Sequence, residues 1–74
     1  MNEKELLKKM GMRIKEVRTS KGVSQQELAV RAFNTDKSNV SRLEAGRVNA
    51  SIFTLYKVSQ DLGIKLSDLL DFEE

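Results

Sequence analysis

The sequence predicts an all-α fold, five short helices packed as one compact bundle. Three observations carry that expectation. Apolar residues recur at three- and four-residue spacings along most of the chain. No stretch alternates apolar and polar residues for long enough to make a strand. Proline is absent, and three of the four glycines follow helix-period runs, where a residue with positive φ ends a helix well.

In the first segment Leu6, Met10, Ile14 and Val17 form one apolar stripe, with Leu7 beside it, on a helix expected to end near Lys21 and stop at Gly22. Gly11 interrupts that stripe at a cost of about 1 kcal/mol relative to Ala. Two readings stay open there: a neighbouring helix packs closely at Gly11, or residues 1–10 are a separate N-terminal extension with a frayed turn. Ser24, Gln25, Gln26 and Glu27 then spell a capping box at the start of a second helix, whose buried face is Leu28, Ala29, Ala32 and Phe33. Asn34, Thr35 and Asp36 make a polar break. Asp36 is placed to cap a third helix from Lys37 to about Ala45, with Val40 and Leu43 inward and Gly46 at its end. Ser51 caps a fourth, with Ile52, Leu55, Ser59 and Leu62 on its inner face and Val58 alongside, stopped by Gly63. Lys65 or Ser67 opens a last short helix containing Leu66, Leu69 and Leu70.

Seventy-four residues suffice for a single domain, 1–74, and not for two. A chain of this size buries only about 60% of its unfolded surface, so dimerisation is a natural source of extra stability. Cysteine and histidine are both missing, which removes disulfides, thiolate metal sites, the commonest zinc ligand and the commonest general base. An enzyme is not expected, and neither is a metal or other cofactor. No apolar run approaches the roughly 20 residues that cross a bilayer. Met1 to Glu5 carries acid where a signal peptide would be basic and then apolar, so the chain reads as cytoplasmic, away from any membrane. The net charge of +2 hides an asymmetry. Residues 1–47 hold 11 Lys and Arg against 6 acids, giving +5, whereas residues 48–74 hold 2 against 5, giving −3. A basic part beside an acidic tail points to one face that meets a polyanion.

The central run from Ser24 to Ala29, the polar turn, and the run Val40-Ser41-Arg42-Leu43-Glu44-Ala45-Gly46-Arg47 together resemble the helix-turn-helix of the Cro and phage-repressor, or Xre-type, transcriptional regulators. The resemblance extends from about Gly11 to Leu70. It takes in Arg13 to Arg18 before the motif, Ile52 to Lys57 after it, and Leu62 to Leu70 at the end. It implies a repressor-like DNA-binding domain with the helix-turn-helix over residues 25–45, acting at the nucleoid of a bacterium or phage host. Double-stranded DNA is the partner so implied.

On that reading Lys37, Ser38, Asn39 and Arg42 are the base-edge readers, because the N-terminal residues of the recognition helix enter the major groove. Asn matches adenine, and Arg or Lys matches guanine O6 and N7. Gln25, Ser41, Arg47 and Asn49 are assigned to the DNA backbone, Gln25 because it opens a helix whose N-terminus favours anions. The resemblance also implies that Arg18 and Glu44 form a partly buried ion pair with a structural role. Two departures from the family pattern stand out. The turn from Phe33 to Asp36 is one residue longer than usual and lacks the usual glycine, which leaves room for a one-residue shift in the reading register. Ala50 replaces a frequent proline before the fourth helix.

A single recognition helix covers few base pairs, and such domains pair across two half-sites about 34 Å apart. Tyr56, Leu70 and Phe72 are apolar residues beyond the needs of one small core, and are expected at the interface of a homodimer. The function expected is sequence-specific binding of an inverted-repeat operator, with repression as the outcome. Antitoxins with a toxin partner and restriction–modification controller proteins use the same domain. A protein-interaction module that has lost DNA binding is the reading from another class, and would call for apolar residues on the outside of the third helix.

Overall fold

The structure is a computed structural model, and it describes residues 1–73. Five helices run in order: α1 (Glu3–Ser20), α2 (Gln25–Phe33), α3 (Lys37–Glu44), α4 (Ile52–Leu62) and α5 (Leu66–Leu69). The described residues contain no strand. Each of the first four helices starts on a side chain that satisfies an otherwise orphaned amide. Asn2 accepts from Glu5, Ser24 from Glu27, Asp36 from Ser38 and Ser51 from Thr54. The Ser24 capping box is complete, because the Glu27 carboxylate accepts from the Ser24 amide at 3.1 Å. Lys65 rather than Ser67 is the cap of α5.

The core draws at least one fully sequestered apolar residue from every helix. Ile14, Leu28, Val40, Val58 and Leu69 are each at 0% exposure. Burying a side chain of this size contributes about 1.5–3 kcal/mol. Met10, Val17, Ala29, Leu43, Leu55 and Leu62 complete the cluster, and Val23, Phe33, Leu66 and Phe72 pack against its edge.

One open choice is resolved here and one expectation corrected. Residues 1–10 are no separate extension, because α1 runs unbroken from Glu3 through Gly11. Gly11 is instead the site of a close approach: a Cβ there would stand 2.7 Å from the Leu43 carbonyl oxygen and against the backbone of Glu44. Ile52 does not belong to the inner face of α4. It is 64% exposed, and the buried stripe begins one turn later at Leu55.

Candidate nucleic-acid interface

Helix α3 is eight residues long, and its inward and outward positions are cleanly divided. Val40, Leu43 and Glu44 are buried, while Lys37, Ser38, Asn39, Ser41 and Arg42 are exposed. Ala29 on α2, wholly buried, is small enough to let that helix lie close. Between residues 37 and 49 the exposed charges are Lys37, Arg42 and Arg47, because the single acid of that run, Glu44, is turned inward. The outer surface of α3 is therefore polar and positive, which suits a polyanion, and the loop after it adds Arg47 beside the exposed Val48.

The far end of α3 is clamped from behind. Arg18 donates from Nε to Glu44 Oε2 at 2.6 Å and from Nη2 to Oε1 at 3.1 Å, and its Nη1 donates to the Val23 carbonyl at 2.7 Å. Both residues are below a tenth exposed. Gln25 Nε2 adds a third donor to Glu44 Oε1 at 3.0 Å. Gln25 was expected to meet the DNA backbone; one Nε2 N–H of this half-buried side chain is taken by the ion pair, which leaves a phosphate the second Nε2 N–H and the backbone amide. No buried side-chain polar atom among the described residues lacks a partner. Gly46 completes the clamp. Its φ is +73°, and a Cβ on it would stand 2.8 Å from the Lys8 amide nitrogen of α1.

The near end of α3 is held by exposed polar groups. The Lys37 amide donates to Gln26 Oε1 of α2 at 3.1 Å, and the Ser38 amide donates to Asp36 Oδ1 at 2.9 Å. The Ser38 hydroxyl donates to the same carboxylate oxygen. These Ser38 bonds hold the Asp36 carboxyl below its ordinary value. Glu27 is lowered in the same way, by its bonds to Ser24.

The turn before α3 accounts for the extra residue and the missing glycine. Gly22, Gly46 and Gly63 end their helices with paired bonds spanning three and five residues, the Schellman pattern. At Asn34 the pair spans four and six: Asn34 N–H to the Val30 carbonyl and Thr35 N–H to the Ala29 carbonyl. The cap is one residue wider. Asn34, at φ 52° and ψ 46°, takes the left-handed conformation that glycine otherwise supplies, and Asn tolerates it better than most residues.

The four expected base readers differ in what they have left to offer. Ser38 spends its hydroxyl on Asp36, and Asn39 is bonded at both ends of its carboxamide, to Thr35 and to Arg42. Arg42 spends one donor on Asn39. The side chain of Lys37 has no hydrogen bond among the described residues, and the same is true of Ser41, Arg47 and Asn49, all exposed. Of the residues expected at a dimer contact, Tyr56 and Leu70 are exposed, whereas Phe72 is half-buried against the chain's own core. Sequence reasoning missed Ile52 and Phe53. They stand exposed beside Tyr56, with the Phe53 and Tyr56 rings 6.4 Å apart and Lys57 Nζ 5.1 Å from the Phe53 centroid.

Comparison with known proteins places this geometry among solved relatives. The helix-turn-helix family HTH_3 matches residues 14–69. The chain is 32% identical over 62 residues to the control protein C.BamHI of Bacillus amyloliquefaciens, covering 84% of this chain and 76% of that one. The crystal structure of the restriction–modification controller protein C.AhdI from Aeromonas hydrophila superposes with a TM-score of 0.85 at 35% identity, over 93% of this chain and 99% of that one. The clp gene regulator ClgR from Corynebacterium glutamicum superposes with a TM-score of 0.82 at 32% identity, over 88% of this chain and 68% of that one.

Proposed function

The chain belongs to the helix-turn-helix family of DNA-binding transcriptional regulators, and from that premise we propose that it works as a homodimeric repressor on an inverted-repeat operator. The family is not enzymatic. The observation that carries the proposal is the outward face of α3, polar and positive while Val40 and Leu43 anchor the helix from beneath. A protein-interaction module would show apolar residues there, and this helix shows none.

In the proposed complex α3 enters the major groove and turns Lys37, Ser38 and Arg42 towards base edges, with Asn39 beside them. Arg42 suits guanine, with a planar fork of donors. The Gln25 amide at the start of α2, with Ser41, Arg47 and Asn49, meets phosphates, setting register rather than sequence preference. Pairing of two chains is supported by size. The molecule measures 31 × 22 × 20 Å and carries one reading helix, so two half-sites about 34 Å apart require two copies. The exposed Tyr56 and Leu70 form the proposed dimer contact, with Ile52 and Phe53 adding apolar surface beside Tyr56, while Phe72 is packed against the chain's own core. Among the described residues no helix is long and apolar enough to cross a membrane. The proposed place of action is the cytoplasm, at the nucleoid.

Restriction–modification control is the more specific reading. It is favoured by the near end-to-end match with a controller protein. Methyltransferase and nuclease genes beside this one would support it, whereas a neighbouring toxin gene would favour an antitoxin role.

Selection from a pool of random duplexes at two salt concentrations tests the function. The expected result is an inverted repeat whose affinity falls with salt at a slope of about −0.9 per phosphate neutralised. Arg42→Ala costs about 1–3 kcal/mol and relaxes preference at one position per half-site. A pool that returns no preferred sequence overturns the proposal. Sedimentation that finds only monomer at high micromolar concentration, both free and on a duplex carrying the selected repeat, removes the dimer.

A further inference from the structure

The outward strip of α3 carries a chain of side-chain hydrogen bonds. Thr35, in the turn before the helix, accepts at Oγ1 from Asn39 Nδ2, and Asn39 Oδ1 accepts from Arg42 Nη2. Asn39 and Arg42 stand three apart on one face of the helix, and Thr35, just before its cap, extends that line. The partners fix how the carboxamide is turned. A guanidinium only donates, so it must face the oxygen, and the nitrogen is left for the threonine hydroxyl. Thr35 is itself anchored, its amide donating to the Ala29 carbonyl at 3.2 Å through the widened cap at Asn34.

The carboxamide spends one of its two N–H donors on Thr35 and one oxygen lone pair on Arg42, so its plane is set by those two partners before any base is met. Arg42 gives up one of five N–H donors and keeps the others. We propose that Asn39 is a positioning residue and not itself a reader: braced by Thr35, it holds the Arg42 guanidinium in one orientation, and Arg42 reads the base. Arginine loses much side-chain freedom when it is fixed on DNA, and a brace that restricts it beforehand lowers that cost. Thr35 thereby becomes a determinant of specificity without touching DNA. The proposal rests on the reading of α3 as the base-contacting helix.

The test compares Arg42→Ala, Asn39→Ala, Thr35→Val and Thr35→Ser by competition among duplexes randomised at each operator position. Arg42→Ala is expected to abolish preference at one base pair per half-site. Asn39→Ala and Thr35→Val should weaken preference at that same base pair by about three- to tenfold, the worth of one exposed hydrogen bond, with other positions unchanged. Thr35→Ser should restore it, and in an Arg42→Ala background neither change should have further effect. Relaxation at a different base pair in Asn39→Ala would show that Asn39 reads directly, and native preference in a folded Thr35→Val would remove the brace; either overturns the proposal. Should Thr35→Val not fold, Asn39→Ala at its exposed position decides alone. If Arg42→Ala itself relaxes no position, the assignment of α3 falls, an outcome distinct from both.

Discussion

At the C-terminal end of α3 the Glu44 carboxylate is 8% exposed and accepts three hydrogen bonds from Arg18 and Gln25. At the N-terminal end Asp36 lies in solvent and accepts from Ser38, the residue two places on. The same helix is thus fastened at one end by a desolvated long-range pair and at the other by local, wet contacts. The difference follows from what each end must do. A buried carboxylate with paired donors fixes direction firmly, but nothing on DNA can reach it. Exposed caps are individually weak, yet they leave side chains at the surface, where the proposed function needs them.

Removing the buried partner should have the largest effect. Glu44→Ala leaves the Arg18 guanidinium buried without its counter-charge, and a loss of about 3–5 kcal/mol in urea unfolding is expected. Base preference of the protein that remains folded should not change. A loss below 1 kcal/mol, or altered preference, would break the contrast between the two ends. Gly11→Ala comes next. Its Cβ meets backbone and not a yielding side chain. The cost should be about 1–3 kcal/mol or more, despite the better helix propensity of alanine. A stabilised variant would show that α1 and α3 have slack between them.

At the exposed end Asp36→Ala should lower the thermal midpoint by about 4–8 °C, the scale of one lost cap. Acid should give the smallest and most selective effect. The carboxyls of Glu27 and Asp36 are lowered in the folded chain, so the stability they contribute is complete above their ordinary values of 4.5 and 3.8. It is lost as pH falls through the depressed values. The caps of α1 and α4, Asn2 and Ser51, do not titrate in that range. Hydrogen exchange should therefore show the amides of Ser24 and Ser38, which donate to those two carboxylates, losing protection on acidification before that of Thr54. The opposite order would contradict the assignment of the two caps.

How much of this could be read in the sequence depends on the range of each interaction. The helix boundaries could, because caps such as Ser24 with Glu27 and stops such as Gly63 act within a few residues. The heptad-like spacing identified the buried stripe of α4 but placed Ile52 on it, since a period defines a face without saying how far along the helix its neighbours reach. Arg18 and Glu44 stand 26 residues apart, and only the family pattern joined them. Gly11 left two readings, and nothing local chooses between a frayed turn and a close backbone contact. The inward turn of Gln25 and the line from Thr35 through Asn39 to Arg42 were not legible at all. They depend on which neighbours polar side chains find once the turn is built.

The division of α3 has a consequence for how such a protein changes over generations. Its inward positions are occupied by the fold, and its outward ones carry nothing the core depends on. On the proposed reading, substitutions at residues 37, 38 and 42 can accumulate and re-target the protein to a new operator while folding is barely disturbed. Specificity is then free to drift with its DNA, and duplicated copies can part company quickly. The arrangement that would let one helix read DNA would also make the reading replaceable.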